Sequence, residues 1–158
     1  MSEKVLALDL STTETGYALF QDESIVRFDI IKPSSKLSAL ERSIEVAWAI
    51  EELIDLHEPD EVVIESTYMA FPQSAELLGR LHGMIIWIWK NYSSKLPIYL
   101  VATHIRKVMG IKGVIRGKEG KKAIINYVER LTNLTIGNDN VADAILTGLC
   151  YLKEKQNG

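Results

Sequence analysis

Three acidic residues each stand at the end of, or inside, a different apolar run. Asp9 closes VLALD, Glu65 closes EVVIE, and Asp143 sits in NVADAILTG. An acid after a run of Val, Ile and Leu is a charge carried on the tip of a buried strand. The core will not take it, because an isolated buried carboxylate is very costly. Acids from such distant parts of the chain converge only if the fold gathers them. Gathered carboxylates repel one another and raise each other's pKa values. A hard divalent cation such as Mg²⁺ relieves that repulsion, since it prefers oxygen ligands and keeps some of its waters. The pattern predicts a carboxylate metal site suited to phosphoryl transfer.

The chain has 158 residues, long enough for one domain with a real core, and residues 1–158 are read as that single domain. Cys150 is the one cysteine, so no disulfide forms within the chain, which suits a reducing cytosol. Its apolar surroundings point to core packing. The N-terminus runs straight into a strand without a signal-peptide pattern. The longest apolar run, MIIWIW from Met84 to Trp89, falls far short of the roughly 20 residues a membrane span needs. A cytoplasmic protein is expected, with no membrane partner.

The net charge of −3 argues against a nucleic-acid partner until it is mapped. Between His104 and Lys122, seven basic residues face one acid, Glu119, a local charge of +6 that leaves −9 on the rest. The seven are Arg106, Lys107, Lys112, Arg116, Lys118, Lys121 and Lys122. Most charge runs are solvated faces. This one is punctuated by Gly110, Gly113, Gly117 and Gly120, and such a loop can approach a phosphate backbone closely.

Periodicity predicts strands at Val5–Leu10, Thr15–Phe20, Ser24–Ile31, Glu61–Glu65 and Pro97–Val101. Ser38 and Glu41 have capping-box spacing, and Leu37, Leu40, Ile44, Trp48 and Leu53 continue a helix to about Leu56. Further helices are predicted over Gln73–Tyr92, Thr103–Met109, Lys118–Leu131 and Asn140–Lys155. In the second helix Leu77, Leu81 and Ile85 are assigned to the core. Leu78, Gly79, His82 and Ile86 are assigned to another face, with Ala75, Gly79 and Gly83 as a small-residue row. The order βββαβαβααα predicts a five-stranded mixed sheet flanked by helices. No zinc-spaced Cys/His cluster and no phosphate-binding Gly-Lys loop is present.

These motifs resemble the RuvC-type Holliday junction resolvases, bacteriophage members among them, on the ribonuclease-H-like fold. DLSTTETGYALF matches the family's first acid, its Thr-Gly-Tyr and the strand after it. IESTYMAFPQSAELLGRLHGMI matches the second acid, an aromatic three residues on, and a helix rich in small and aliphatic residues. NVADAILTG matches the Ala-Asp-Ala of the last motif. The chain departs from the family at Leu10 and Ser11, where Pro-Gly is usual, and at Asn140, where a further acid is usual. Asn140 can ligate through its amide oxygen, Asp139 can supply the charge instead, or the two serve as a helix N-cap pair.

The resemblance implies a structure-selective endonuclease acting on four-way DNA junctions as a homodimer. It implies two Mg²⁺ per site, with Mn²⁺ able to substitute. Asp9 would bridge the two ions, Glu65 and Asp143 would complete the cage, and Asp139 or Asn140 would assist. It also gives Tyr68 a DNA-inserting role, and the basic segment would hold the backbone. A broader branched-DNA or RNA–DNA nuclease and a non-catalytic junction-binding protein stay open as alternatives. Nothing in the sequence specifies a helicase partner.

Overall fold

The computed structural model describes residues 2–66, 72–113 and 117–158. Its elements run β1 (Lys4–Asp9), β2 (Thr15–Gln21), β3 (Ser24–Ile31), α1 (Ala39–His57), β4 (Glu61–Ser66) and α2 (Pro72–Ser93). After them come β5 (Ile98–Val101), α3 (Ala102–Val108), α4 (Gly117–Thr132) and α5 (Asp139–Asn157). The strands form one sheet in the order β3-β2-β1-β4-β5. β1–β2 and β2–β3 pair antiparallel, while β1–β4 and β4–β5 pair parallel. This is the mixed sheet expected from the sequence.

β1 is buried on both faces, and its alternation divides the core in two. Leu6 and Leu8 join Leu19, Val62 and Ile64 under α1 and α2. Val5 and Ala7 join Ala18, Phe20 and Val63 under α3, α4 and α5. Asp9 and Glu65 continue the second alternation, so each strand aims its terminal acid toward the α5 face.

The capping box on α1 is present: the Glu41 N–H donates to Ser38 Oγ, and the Ser38 N–H donates to Glu41 Oε2. The helix's inward stripe differs from the predicted one. Ser43, Val46, Ala47, Ile50 and Ile54 are buried, whereas Leu40 is 42% and Trp48 63% exposed. In α2, Leu81 and Ile85 face the core as expected, but Leu78 joins them there with Ile88 and Trp89. Leu77 is only half-buried. Leu78 therefore belongs to the core stripe, where 78, 81, 85 and 88 follow the alternating three- and four-residue spacing of one helical face. His82 packs on the sheet edge, its Nδ1 3.1 Å from the Tyr99 hydroxyl.

Candidate active site

The loop after β1 is tied by Thr15, whose hydroxyl donates to the Ser11 carbonyl at 2.7 Å and accepts from the Ser11 N–H at 3.0 Å. That turn returns the chain so that Gly16 pairs with Asp9. The first turn of α5 presses on the same spot. A Cβ on Gly16 would lie 2.2 Å from the Asn140 backbone and 2.6 Å from the Val141 nitrogen. Only glycine allows this approach, and the approach sets the start of α5 against the acid end of β1.

α5 is capped by Asn138, which accepts from the Val141 N–H at 3.1 Å and donates to Glu14. Asp139 and Asn140 are thus not the N-cap pair: Asn138, one place earlier, has the extended backbone and the acceptor that capping needs. The Glu14 link fixes the cap to the β1–β2 turn, 124 residues away in sequence. Asp139 then opens the helix with Asp143 one turn later on the same side.

The parallel register sets Leu8 beside Ile64, so Asp9 and Glu65 end neighbouring strands one step on. Asp143 comes down between them from α5. One carboxylate oxygen from each of Asp9, Glu65 and Asp143 lies within 4.8 Å of the other two. Asp9 is pushed up to about 9, first by burial and then by Glu65, Asp143 and Asp139, against a pull down from Lys121. Burial, then Asp143, pushes Glu65 up to about 7, and Arg106 opposes this. Burial, then Asp139, pushes Asp143 up to about 6 against Arg106 and Lys121. The site thus holds protons where it could hold positive charge. An all-oxygen donor set with this unmet demand fits a hard divalent cation.

A cleft of about 610 Å³ opens beside the acids, walled by the loop after α3, by α4 and by the start of α5. Arg106, Lys112 and Lys121 line it together with Asp139 and Asp143. Lys121 Nζ lies 2.9 Å from Asp139 Oδ2. Lys107, Lys118 and Lys122 are exposed and lie off the cleft wall. Tyr68 and Arg116 fall outside the described residues. Asn140 is half-buried, and its backbone, which packs on Gly16, is the part placed against the sheet. Sequence reasoning missed Arg130, which also lines the cleft. Its spacing from Ala123 and Tyr127 puts it on one α4 face with them, and that row was the available signal.

A five-stranded mixed sheet with carboxylates at two central strand tips, met by a third from α5, defines a ribonuclease-H-like fold with a candidate metal centre. The family model for "Crossover junction endodeoxyribonuclease RuvC" matches residues 5–151, and the chain belongs to this family. A crossover junction endodeoxyribonuclease RuvC from Protochlamydia amoebophila is 32% identical over 154 residues, covering 93% of this chain and 89% of the relative. One from Chlorobium phaeobacteroides is 28% identical, covering 94% of this chain and 80% of the relative. Among solved structures, Thermus thermophilus RuvC in complex with a Holliday junction superposes with a TM-score of 0.80 at 15% identity, covering 99% of this chain and 96% of that one. The yeast mitochondrial Holliday junction resolvase Ydc2 superposes with a TM-score of 0.62 at 12% identity, covering 98% and 81%. Both share the fold. No helix among the described residues is long and apolar enough to cross a membrane.

Proposed function

We propose that this chain is a metal-dependent endonuclease that resolves four-way DNA junctions by paired nicks, acting as a homodimer. The observation that carries the reading is the meeting of Asp9, Glu65 and Asp143 beside a basic cleft in a chain of this family. These three residues would hold two Mg²⁺, or Mn²⁺ in their place. Bound there, the ions would supply activation of an attacking water and neutralisation of charge at the departing 3′ oxygen.

The protein's own groups do the rest. Arg106, Lys112 and Lys121 draw a phosphodiester into the cleft and hold it over the acids. Asp139 is the fourth acid of the site, because its carboxylate lines the cleft one turn before Asp143 and a charged oxygen suits a hard cation better than the Asn140 amide. Lys121 balances Asp139 until a cation or phosphate arrives. Lys107, Arg116, Lys118 and Lys122 extend the backbone contact beyond the cleft, and Tyr68 wedges at the junction centre. Products would carry a 5′ phosphate and a 3′ hydroxyl.

Matched cuts need two sites related by a two-fold axis. The face of α2 that carries Gly79 and Gly83 supports this assembly. A Cβ on either glycine would meet nothing within 4 Å. Beside them Trp87 is 68% exposed, with Trp48 of α1 across the same shallow groove. Residues 1–158 would act as one nuclease domain in the bacterial cytoplasm. The test is incubation with a synthetic four-way junction and with a linear duplex of the same sequence, in Mg²⁺ and in EDTA. Cleavage of the junction in Mg²⁺ alone supports the reading. Equal cleavage of both DNAs, or none of either, opposes it.

A further inference from the structure

A second cluster of metal-ligating side chains lies apart from the active site, between α3 and α5. His104 of α3 meets Cys150 and Glu154 of α5, and one donor atom from each lies within 4.8 Å of the other two. Cys150 and Glu154 are one helical turn apart on one face, and His104 stands opposite them. His104 Nε2 and Glu154 Oε1 are 2.6 Å apart and both side chains are about two-fifths exposed, so an ion has a path in. Cys150 forms the buried floor. The plain account of these contacts is a surface ion pair above a core cysteine. That account explains His104 and Glu154 but gives the thiol no part in the group.

We propose that His104, Cys150 and Glu154 form a binding site for a borderline-soft divalent cation, Zn²⁺ in the first instance, distinct from the all-oxygen site. Sulfur, imidazole nitrogen and one carboxylate oxygen are a donor set that selects Zn²⁺ or Co²⁺ over Mg²⁺, with a fourth position left to water. Zn²⁺ bonds of about 2.0–2.3 Å hold tetrahedral donors roughly 3.3–3.8 Å apart. The three donors already lie within 4.8 Å of one another, and the half-exposed His104 and Glu154 side chains, now 2.6 Å apart, would open to that spacing on binding. Binding releases the thiol proton to solvent and replaces it by the metal–sulfur bond.

The placement gives the ion a consequence. α3 carries Arg106 and α5 carries Asp139 and Asp143, all three on the cleft wall. A metal joining His104 to Cys150 and Glu154 fastens α3 to the C-terminal half of α5, the half that does not carry Asp139 and Asp143. Occupancy therefore stabilises the fold without competing for the Mg²⁺ ligands.

Co²⁺ titration of the full chain in Mg²⁺ buffer tests this directly, because a thiolate–Co²⁺ bond gives a charge-transfer band in the near ultraviolet that carboxylates do not. One Co²⁺ per chain with that band, displaced by Zn²⁺, is expected. The band should persist in Glu65→Gln and vanish in Cys150→Ser. Should Cys150→Ser fail to fold, His104→Gln and Glu154→Gln carry the test, since both alter half-exposed side chains. Each should weaken Co²⁺ binding by ~10-fold or more. Zn²⁺ should raise the melting temperature of wild type and Glu65→Gln but not of His104→Gln. Absence of the band in wild type overturns the site. So does a band of unchanged affinity in both His104→Gln and Glu154→Gln.

Discussion

Asp9→Asn separates the cost of the metal site from its use. Asp9 is pushed up to about 9 by burial and by its acidic neighbours. The folded chain therefore keeps this proton at pH values where the unfolded chain has lost it. Stability of the metal-free protein is full below about pH 4 and falls as pH rises toward 9, because the folded state binds more protons throughout that window. At about pH 7.5 the full shift amounts to ~5 kcal/mol, and water entering the cleft and local relaxation leave ~2–3 kcal/mol. Asn has nearly the same shape and no proton to hold. In EDTA at that pH, Asp9→Asn should melt roughly 5–10 °C above wild type, and the gap should close near about pH 4. Saturating Mg²⁺ should raise the wild-type melting temperature and leave the variant almost unchanged. Thermal unfolding followed by circular dichroism over a pH series, with and without Mg²⁺, reads all of this. A variant that melts at or below wild type in EDTA near neutral pH refutes the idea that the acids are held together at the expense of stability.

Three further outcomes follow from the geometry. Gly16→Ala puts a methyl 2.2 Å from the Asn140 backbone, so it should cost ~3 kcal/mol in chemical denaturation and reduce junction cleavage by displacing Asp143. Replacing Lys118, Lys121 and Lys122 together with Ala should weaken binding to every DNA shape and flatten its salt dependence, with each lost phosphate contact removing about one unit of the log–log slope; an unchanged slope would mark α4 as a solvated face. Light scattering should give a two-chain mass for wild type and a one-chain mass for Gly79→Arg, whose side chain projects from the open face of α2 beside Trp87; a variant that stays dimeric removes that face from the interface.

Strand-tip acids were legible in the sequence because their signal is local. Asp9 and Glu65 each follow an apolar run, and the two-residue period of a strand fixes the face they take. α5 was legible for the same reason, through the dense apolar pattern from Val141 to Leu152 that buries it against the sheet. What stayed hidden depends on contacts between distant segments. Asn138, rather than its acidic neighbour, caps α5 because Glu14 is waiting on the β1–β2 turn. Gly16 showed itself as part of the Thr-Gly-Tyr motif, and its close approach to the Asn140 backbone could come only from the fold. In α1 the predicted stripe through Leu40, Ile44 and Trp48 is a second apolar row beside the buried one. Periodicity alone cannot tell two adjoining rows apart when both are apolar. The same ambiguity misplaced Leu78 on α2. Arg130 went unnoticed because it lies beyond the basic run, brought to the cleft only by the turn of α4.

Binding and cleavage of one synthetic four-way junction, measured side by side, test the central claim most directly. Wild type should bind the junction and, in Mg²⁺, nick two opposing strands to leave 5′ phosphates. Asp9→Asn, Glu65→Gln and Asp143→Asn should each bind with wild-type affinity in EDTA and cut at least ~1,000-fold more slowly in Mg²⁺ (about 4 kcal/mol of lost transition-state stabilisation). Near-normal cleavage by any of the three would contradict the assignment of a shared metal centre to these carboxylates.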